Sequence, residues 1–210
     1  LDKIALPMTV QRFVALGLPS ATSQTPNTPT PRLAANTANA ANLLGKLRLN
    51  TDRPATAFMP GAEYGPAKQW PAPHFAQLAK DLITQGHQIW ILGSSKDHDI
   101  AEQIALATAS PHIHNLCGKT QLADVVDLLS VCKTAISNDS GLMHVAAALG
   151  IPLVALYGSS DPKHTPPLSS NAHVLHLGLE CSPCFKRQCP LGHTRCLQDI
   201  TPDRVLKALT

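Results

Sequence analysis

The sequence predicts an α/β fold in which a parallel sheet carries helices on both faces. Short apolar segments, such as residues 56–59 and 153–157, run into proline or glycine, as strands commonly do. Amphipathic segments of roughly 10 to 14 residues separate these runs, and their apolar residues recur at helical spacing. Strands that alternate with such helices run parallel, and the helices cover both faces of their sheet.

Each predicted strand is a short apolar run bounded by turn residues. The runs are 56–59, 88–92, 112–116, 134–137, 153–157 and 174–177. Apolar residues fall on one side of five predicted helices, at 73–85, 97–109, 122–129, 140–149 and 202–209. On the third of these helices, Asp124 and Asp127 are expected on the outer face.

The domain organisation is predicted from a change in composition near residue 54. Residues 7–17 read as a short amphipathic helix that begins at Pro7 and ends near Gly17. From residue 19 to about 41 the chain is rich in Pro, Thr, Asn, Ser and Ala, which favours an extended linker, and a short segment at 43–49 follows. We therefore expect residues 1–53 to be the tail of one domain with its linker, and residues 54–210 to be one compact domain.

Composition and charge exclude several classes of protein. Hydrophobic residues make up 44% of the 210, which is enough for a core. The sequence contains neither an apolar run of about 18 residues nor a visible secretory signal. Lysine and arginine are not clustered with aromatic residues, so nucleic acid is not an expected partner. Residues 1–60 hold six basic and two acidic groups, an excess that suits a solvated face better than a membrane surface.

The first candidate site is the loop PGAEYGPAKQWP at residues 60–71, between a predicted strand and a helix. Its two glycines allow the backbone to approach a ligand closely. Lys68 supplies a compact positive charge suited to a phosphate, and Trp70 offers a flat face with one hydrogen-bond donor. The alternative is an ordinary connecting loop whose tryptophan caps the core.

The second candidate site is SNDSGLMH at residues 137–144, where a strand runs into a helix. Asn138 or Asp139 can cap this helix, whose first N–H groups then face an anion together with the helix dipole. Gly141 removes a side chain where the anion would lie, and His144 shares a face with Ser140. The alternative is a capped helix with a surface histidine.

Two further polar loops follow strands, at residues 92–99 and 157–167. Ligands of parallel sheets bind beyond the carboxyl ends of the strands, so both loops can line the same cleft. Asp97 can accept hydrogen bonds from a ribose diol, although Asp is also a preferred residue at a helix N-terminus. The 157–167 loop is equally consistent with a turn-rich surface connection.

Four cysteines lie within a short segment near the end of the chain. They follow the pattern Cys181-x2-Cys184-x4-Cys189-x6-Cys196, with His193 nearby. Three states remain open at this point, namely a structural zinc site, reduced thiols or two disulfides, and disulfides are disfavoured in a reducing compartment. Cys117 and Cys132 fit buried apolar positions instead.

Three long motifs resemble the ADP-heptose:lipopolysaccharide heptosyltransferases of glycosyltransferase family 9. They are PGAEYGPAKQWP at 60–71, SNDSGLMHVAAALGIPLVALYGSSDPKHTPP at 137–167 and CSPCFKRQCPLGH at 181–193. The similarity runs from about residue 54 to 210, and residues 1–17 resemble the tail of the family's first domain. The chain also begins at Leu1 rather than Met, which favours a processed product or a piece of a longer protein.

The resemblance implies a GT-B enzyme with two Rossmann-like domains, the second of which binds the sugar nucleotide. Such enzymes invert the anomeric carbon, use ADP-heptose as donor and need no metal or other cofactor. The acceptor is the lipopolysaccharide inner core, which binds through the first domain. The implied location is cytoplasmic, at the inner face of the inner membrane. A different heptosyltransferase of the same family, or a nucleotide-binding or zinc-stabilised module without transferase activity, is the alternative.

The resemblance also assigns roles to individual residues. It places the phosphate-binding lysine at Lys68, a donor-sugar contact at Asp139, and the diphosphate loop at Ser140, Gly141 and His144. It places the ribose-binding acid at Asp97 and an apolar residue against adenine at Leu122. The family's catalytic base, an aspartate on the acceptor side, matches no residue here, so the sequence is expected to bind donor but to transfer sugar poorly or not at all.

Overall fold

A computed structural model describes residues 2–19 and 25–209. Its sheet has six parallel strands in the order β3-β2-β1-β4-β5-β6, which confirms the predicted α/β class. The strands are β1 Ala55–Met59, β2 Gln88–Ile91, β3 Ile113–Asn115, β4 Thr134–Asn138, β5 Leu153–Tyr157 and β6 Ala172–His176. All six predicted strands are therefore present, with ends shifted by at most two residues.

Eight α-helices join or flank these strands within the described residues. They are α1 Thr9–Ala15, α2 Thr37–Lys46, α3 Ala72–Thr84, α4 His98–Thr108, α5 Leu122–Ser130, α6 Gly141–Leu149, α7 Arg195–Gln198 and α8 Pro202–Lys207. Two 3-10 turns, Pro66–Lys68 and Ser95–Asp97, lie in the loops after β1 and β2. None of the helices in the described residues is long and apolar enough to span a membrane.

Two hydrophobic clusters hold the sheet between its helices. On one face α2, α5 and α6 contribute Leu43, Leu128 and Met143 among others. On the other face α3, α4 and α8 contribute residues such as Phe75 and Ile104. The residues of β1, β2, β4 and β5 are all buried, because helices cover both sides of the central strands.

Helix α2 corrects the expectation of an extended linker from residue 19 to 41. Residues 20–24 of that segment lie outside the described residues, but residues 37–46 form a helix. Asn36 caps it, since its side chain accepts hydrogen bonds from the backbone N–H groups of Ala38 and Asn39. The sequence analysis missed this helix because the segment is rich in Pro, Thr, Asn, Ser and Ala. Its apolar residues nevertheless recur at helical spacing, namely Ala40, Leu43, Leu44 and Leu47. The proposed domain boundary at residue 54 stays a prediction, although α2 packs on the sheet that follows it.

The same helix explains why the expected outer position of Asp127 is wrong. Asp127 is buried under α2, with 5% of its surface accessible. Its Oδ1 accepts a hydrogen bond from the backbone N–H of Asn36 at 2.7 Å, and its Oδ2 accepts one from the Asn39 amide at 2.7 Å. A carboxylate in this position therefore ties α2 to α5 in addition to the apolar contacts.

The order of the strands determines where a ligand can bind. The first strand, β1, lies in the middle of the sheet. Strands β2 and β3 follow on one side of β1, and the chain then crosses to the other side, where β4 pairs with β1. The loops after β1 and β4 therefore leave the sheet in opposite directions and open a crevice between them. Both loops carry candidate residues from the sequence analysis.

We expect Asp127→Ala to lower the free energy of unfolding by about 1–3 kcal/mol, because the Asn36 N–H loses its acceptor and the Asn39 amide keeps only its longer hydrogen bond to Asp124. Urea unfolding followed by circular dichroism measures the change. Asp52→Ala is the matched control, since Asp52 is exposed in a loop, and we expect a change within about 0.5 kcal/mol. Equal stability of the two variants would contradict the assigned role of Asp127.

Candidate functional site: a cavity at the carboxyl ends of the strands

A cavity of about 690 Å³ opens at the carboxyl end of the sheet. Loops after β1, β2 and β4 contribute to its wall, as do α5 and the loop after β5. All seven candidate residues line it, namely Lys68, Asp97, Leu122, Asp139, Ser140, Gly141 and His144. The volume lies in the range of small-molecule and cofactor sites. Residues far apart in the sequence thus converge on one concave surface.

Asn138, the last residue of β4, fixes the loop that carries Lys68. Its side chain is fully buried, and its Nδ2 donates to the carbonyl of Pro60 at 2.6 Å. Its Oδ1 accepts from the backbone N–H of Trp70 at 3.0 Å. One amide therefore holds both ends of the 60–70 loop against β4. The sequence analysis expected Asn138 or Asp139 to cap α6, but the N-cap is Ser140.

Trp70 belongs to the core and not to the cavity wall. It is fully buried, and its ring meets Phe75 edge to face at a centroid distance of 4.7 Å. Its indole Nε1 donates to the carbonyl of Ile200 at 2.8 Å. The core alternative given for Trp70 is therefore correct. The tryptophan anchors the end of the Lys68 loop and offers no face to a ligand.

Lys68 and Asp139 form an ion pair at the cavity wall. The Lys68 Nζ lies 2.5 Å from Asp139 Oδ2, and the two side chains are 18% and 5% exposed. Ser160 Oγ donates to the same Oδ2 at 2.5 Å. The other carboxylate oxygen, Oδ1, has no hydrogen-bond donor among the described residues. The Tyr64 ring lies 5.1 Å from the ammonium and adds a cation–π contact.

Asp97 both lines the cavity and organises its own loop. Its Oδ2 accepts hydrogen bonds from the backbone N–H and the hydroxyl of Ser94, each at 2.8 Å. The carboxylate lies so close to Gly61 and Gly93 that a Cβ at either position would collide with it. Asp97 therefore takes part in the capping box of a 3-10 turn and still faces the cavity, and its contact with a ribose stays a prediction.

The N-terminus of α6 faces the cavity with little in front of it. Its first N–H groups have no partner inside the helix. A Cβ built on Gly141 would meet no atom within 4 Å, so packing does not demand a glycine here. Its missing side chain instead leaves the helix end open to the cavity, as the sequence analysis expected.

His144 projects from the first turns of α6 into the same cavity. Desolvation by the cavity wall lowers the pKa of its imidazole below the usual 6.5, although its surface remains accessible. The negative charge of Asp139 raises this pKa, and the positive charge of Lys68 lowers it. Burial is the larger effect, so the neutral imidazole is favoured near pH 7.

Beside Leu122, the cavity wall contains Val125 and Glu63, which the sequence analysis did not name as site residues, and Ser160 contacts Asp139. Leu122, 64% exposed at the start of α5, lies on an apolar side with Val125. Glu63 lies at the rim, where the Lys96 ammonium meets it at 2.6 Å. The sequence analysis did not name Ser160, because it predicted only that the 157–167 loop can line the cleft. Its contact with Asp139 joins positions 21 residues apart and has no local sequence signal.

The four clustered cysteines lie beside a second, much smaller cavity of about 20 Å³. All six cysteines are free, and Cys117 and Cys132 are buried as predicted. Burial raises the pKa of Cys117 to about 12, so this thiol stays protonated. Among the described residues, no three His, Cys, Asp or Glu side chains are already arranged as a metal-binding group.

Comparison with known proteins identifies the family. Residues 1–195 match the sequence model of glycosyltransferase family 9 (heptosyltransferase). The chain belongs to this family. It is 44% identical to lipopolysaccharide heptosyltransferase 2 of Salmonella typhimurium, and the match covers 100% of the chain and 62% of that protein. It is 43% identical to lipooligosaccharide heptosyltransferase 2 of Haemophilus ducreyi, over 99% of the chain and 64% of that protein.

Solved structures of the family share the fold. E. coli ADP-heptose LPS heptosyltransferase II matches with a TM-score of 0.86 at 42% identity, over 100% of this chain and 62% of that one. A family 9 glycosyltransferase from Veillonella parvula matches with a TM-score of 0.71 at 26% identity, over 90% and 55% of the two chains. This family 9 chain thus spans between 55% and 64% of the length of these four relatives. The expected GT-B type of α/β fold is confirmed.

We expect Asn138→Ala to destabilise the family 9 chain by about 2–4 kcal/mol, because it leaves a buried N–H and a buried carbonyl unpaired and removes the clamp on the loop. Urea denaturation measures this change. Asn171→Ala is the control, since it removes one exposed amide whose hydrogen bond goes to Gly150, and a smaller loss is expected. An Asn138 variant as stable as this control would show that the clamp contributes little.

The titration of His144 tests the electrostatics of the cavity. In NMR spectra we expect its midpoint to lie below pH 6.5, to rise in Lys68→Met and to fall in Asp139→Asn, because those charges act on it with opposite signs. Lys80→Met, on the exposed side of α3, should leave it unchanged. Because the folded chain binds this proton more weakly than the unfolded chain, His144 reduces stability as the pH falls below 6.5. If the midpoint of His144 is the same in Lys68→Met as in the wild-type chain, the two side chains do not lie as close in the cavity as the structure has them.

Proposed function

We propose that the large cavity binds ADP-heptose and that the chain supplies the donor site of an inverting lipopolysaccharide heptosyltransferase II. The observation that carries this proposal is the pairing of Lys68 with Asp139 beside the open N-terminus of α6. A cation, a carboxylate and free helix N–H groups within one cavity suit a ligand with both phosphates and hydroxyls. The 42% identity to E. coli ADP-heptose LPS heptosyltransferase II supports the same donor.

The diphosphate would lie between Lys68 and the first turn of α6. An ammonium has three donors, and Asp139 takes one of those of Lys68. Two N–H bonds therefore remain for phosphate oxygens, with the backbone N–H groups near Gly141 on the other side. His144 is favoured as the neutral imidazole, so it would contribute a hydrogen bond rather than a second full charge.

The sugar would be read by Asp139. Its Oδ2 is occupied by Lys68 and Ser160, which hold the carboxylate in one orientation. Its Oδ1 is left to accept a hydrogen bond from a heptose hydroxyl. Solvent can reach Oδ1, so a heptose hydroxyl would take the place of a water molecule there and donate to a carboxylate that is already held in position.

The nucleoside would occupy the part of the cavity near α5 and the loop after β2. Leu122 and Val125 present an apolar surface there that suits the face of adenine. Asp97 would accept hydrogen bonds from the ribose hydroxyls through Oδ1, because Ser94 already occupies Oδ2. These two assignments complete the donor site predicted from the resemblance.

In the transfer reaction, the bond between the anomeric carbon and the diphosphate breaks and negative charge grows on the ADP leaving group. Lys68 and the N-terminus of α6 would stabilise that charge where it develops, which is the electrostatic form of catalysis. The resemblance implies a reaction without a metal ion, which agrees with a site in which Lys68 and backbone N–H groups stabilise the charge of the leaving group. No residue of the cavity is assigned as the base that activates the acceptor, so donor binding and not turnover is the appropriate test.

Other parts of the proposal concern the whole enzyme. The acceptor would be the lipopolysaccharide inner core, bound opposite this cavity by an acceptor domain, at the cytoplasmic face of the inner membrane. Residues 54–210 would then be the donor domain, with residues 1–53 as the tail of the acceptor domain and its connection. A different heptosyltransferase of the family would use the same donor. Donor binding therefore does not distinguish heptosyltransferase II from another heptosyltransferase.

Isothermal titration calorimetry with ADP-heptose, ADP, UDP-sugars and GDP-sugars tests the donor. We expect ADP-heptose to bind most tightly. Lys68→Met and Asp139→Asn should each weaken it by about 10- to 100-fold, because each removes a charge-assisted hydrogen bond worth about 1.5–3 kcal/mol. ADP alone should lose affinity with Lys68→Met but much less with Asp139→Asn, since it lacks the heptose.

Lys80→Met is the matched control for the lysine, because Lys80 is exposed on α3 away from the cavity. Circular dichroism must show that each variant remains folded. Wild-type affinity in both site variants would place the donor elsewhere. Equal affinity for ADP-heptose and UDP- or GDP-sugars would leave a nucleotide-binding module as the better description.

A further inference from the structure

The loop at residues 181–196 brings four thiols to one small cavity that the donor site does not use. Cys181, Cys184, Cys189 and Cys196 line this cavity of about 20 Å³. A space of this size holds one water-sized body, since about 10–15 Å³ is needed for one. Each thiol is partly buried, and none forms a disulfide. The segment therefore gathers four soft ligands around a space for a single ion.

A second observation points to an occupant of the same cavity. Ser159 lines it from the loop after β5 and is 1% exposed, yet its hydroxyl has no hydrogen-bond partner. Buried hydroxyls are nearly always paired, so an orphaned one calls for an explanation. A thiolate sulfur in the cavity would accept this hydrogen bond, whereas a neutral thiol is only a weak acceptor.

The backbone folds back tightly after Cys189. The N–H of Gly192 donates to the Cys189 carbonyl at 3.1 Å, and Gly192 and Thr194 have φ values of +72° and +43°. This tight return keeps Cys189 and Cys196 on the wall of the same small cavity.

We propose that Cys181, Cys184, Cys189 and Cys196 bind one Zn²⁺ ion as a structural Cys₄ site. Four thiolates in a tetrahedron are the ligand set of closed structural zinc sites. In the described residues the thiols surround the cavity without yet closing on one centre. Zinc would draw them in to about 2.3 Å each by side-chain rotation and displace their protons.

The hydrogen bond that His193 accepts disfavours this histidine as a zinc ligand. Its Nδ1 accepts from the backbone N–H of Arg195 at 3.1 Å. In the neutral imidazole the other nitrogen, Nε2, then carries the proton and has no lone pair for a metal. The geometry thus favours four sulfurs over three sulfurs and a nitrogen.

The ion would brace the loop that carries Lys68. Arg187 lies within the cysteine segment, and its carbonyl accepts a hydrogen bond from the backbone N–H of Ala67 at 3.0 Å. Its guanidinium carbon lies 5.0 Å from the centroid of the Tyr64 ring. Gly65 has a φ of +148°, and a Cβ there would lie 2.7 Å from the Arg187 carbonyl. The two loops therefore fit closely, so an ion that holds the cysteine segment would also hold the loop of Lys68.

The test uses the reduced wild-type chain, refilled with Zn²⁺ or Co²⁺ and freed of loosely bound metal on a desalting column. We expect one equivalent of zinc by elemental mass spectrometry. With cobalt we expect thiolate-to-metal charge transfer and the intense visible bands of a tetrahedral sulfur site. Substoichiometric metal after refilling, or an octahedral cobalt spectrum, would overturn the proposal without any variant.

Variants then assign the ligands. Cys184→Ser combined with Cys189→Ser should abolish the cobalt bands, whereas Cys132→Ser, in the hydrophobic cluster with Leu128, should keep them. His193→Gln should also keep them, and their loss in this variant would show that the histidine is a ligand. Removal of zinc by a chelator should lower the thermal midpoint of the wild-type chain but not that of the double variant.

Discussion

The large cavity at the carboxyl end of the sheet depends on the buried amide of Asn138. This side chain joins the last position of β4 to both ends of the loop after β1, and so fixes where Lys68 stands relative to Asp139. The constraint is strict because the amide is fully buried, and an unpaired group there costs much of the free energy that a small domain has to spare. Trp70 completes the constraint by anchoring the same loop in the core.

Lys68 and Asp139 form an ion pair at the wall of the cavity. Here Lys68 keeps two unused donors and Asp139 keeps one unused oxygen, so the pair holds its own geometry and still offers complementary groups to a ligand. Ser160 adds orientation without charge. Desolvation lowers the pKa of His144 and so favours its neutral form, which leaves Lys68 as the full positive charge at this part of the cavity wall.

Sequence patterns predicted the architecture well because strand and helix periodicity is a local property. All six strands followed from short apolar runs, and the loops at their carboxyl ends were recognised as the place for a ligand. Helix α2 was missed because a composition rich in Pro, Thr and Asn outweighed a short run of helical spacing. The burial of Asp127 was missed for the same reason, since the helix that covers it was not foreseen.

The sequence by itself determined the parallel α/β fold, the family resemblance and the seven residues that were expected at the site, because motifs and periodicities are carried by neighbours along the chain. Only the tertiary structure decided that these seven residues share one cavity and that Trp70 belongs to the core. It also decided that Asn138 clamps a distant loop instead of capping its own helix. Contacts between residues some 70 positions apart, such as that of Lys68 with Asp139, arise from the order of the strands, which no local pattern encodes.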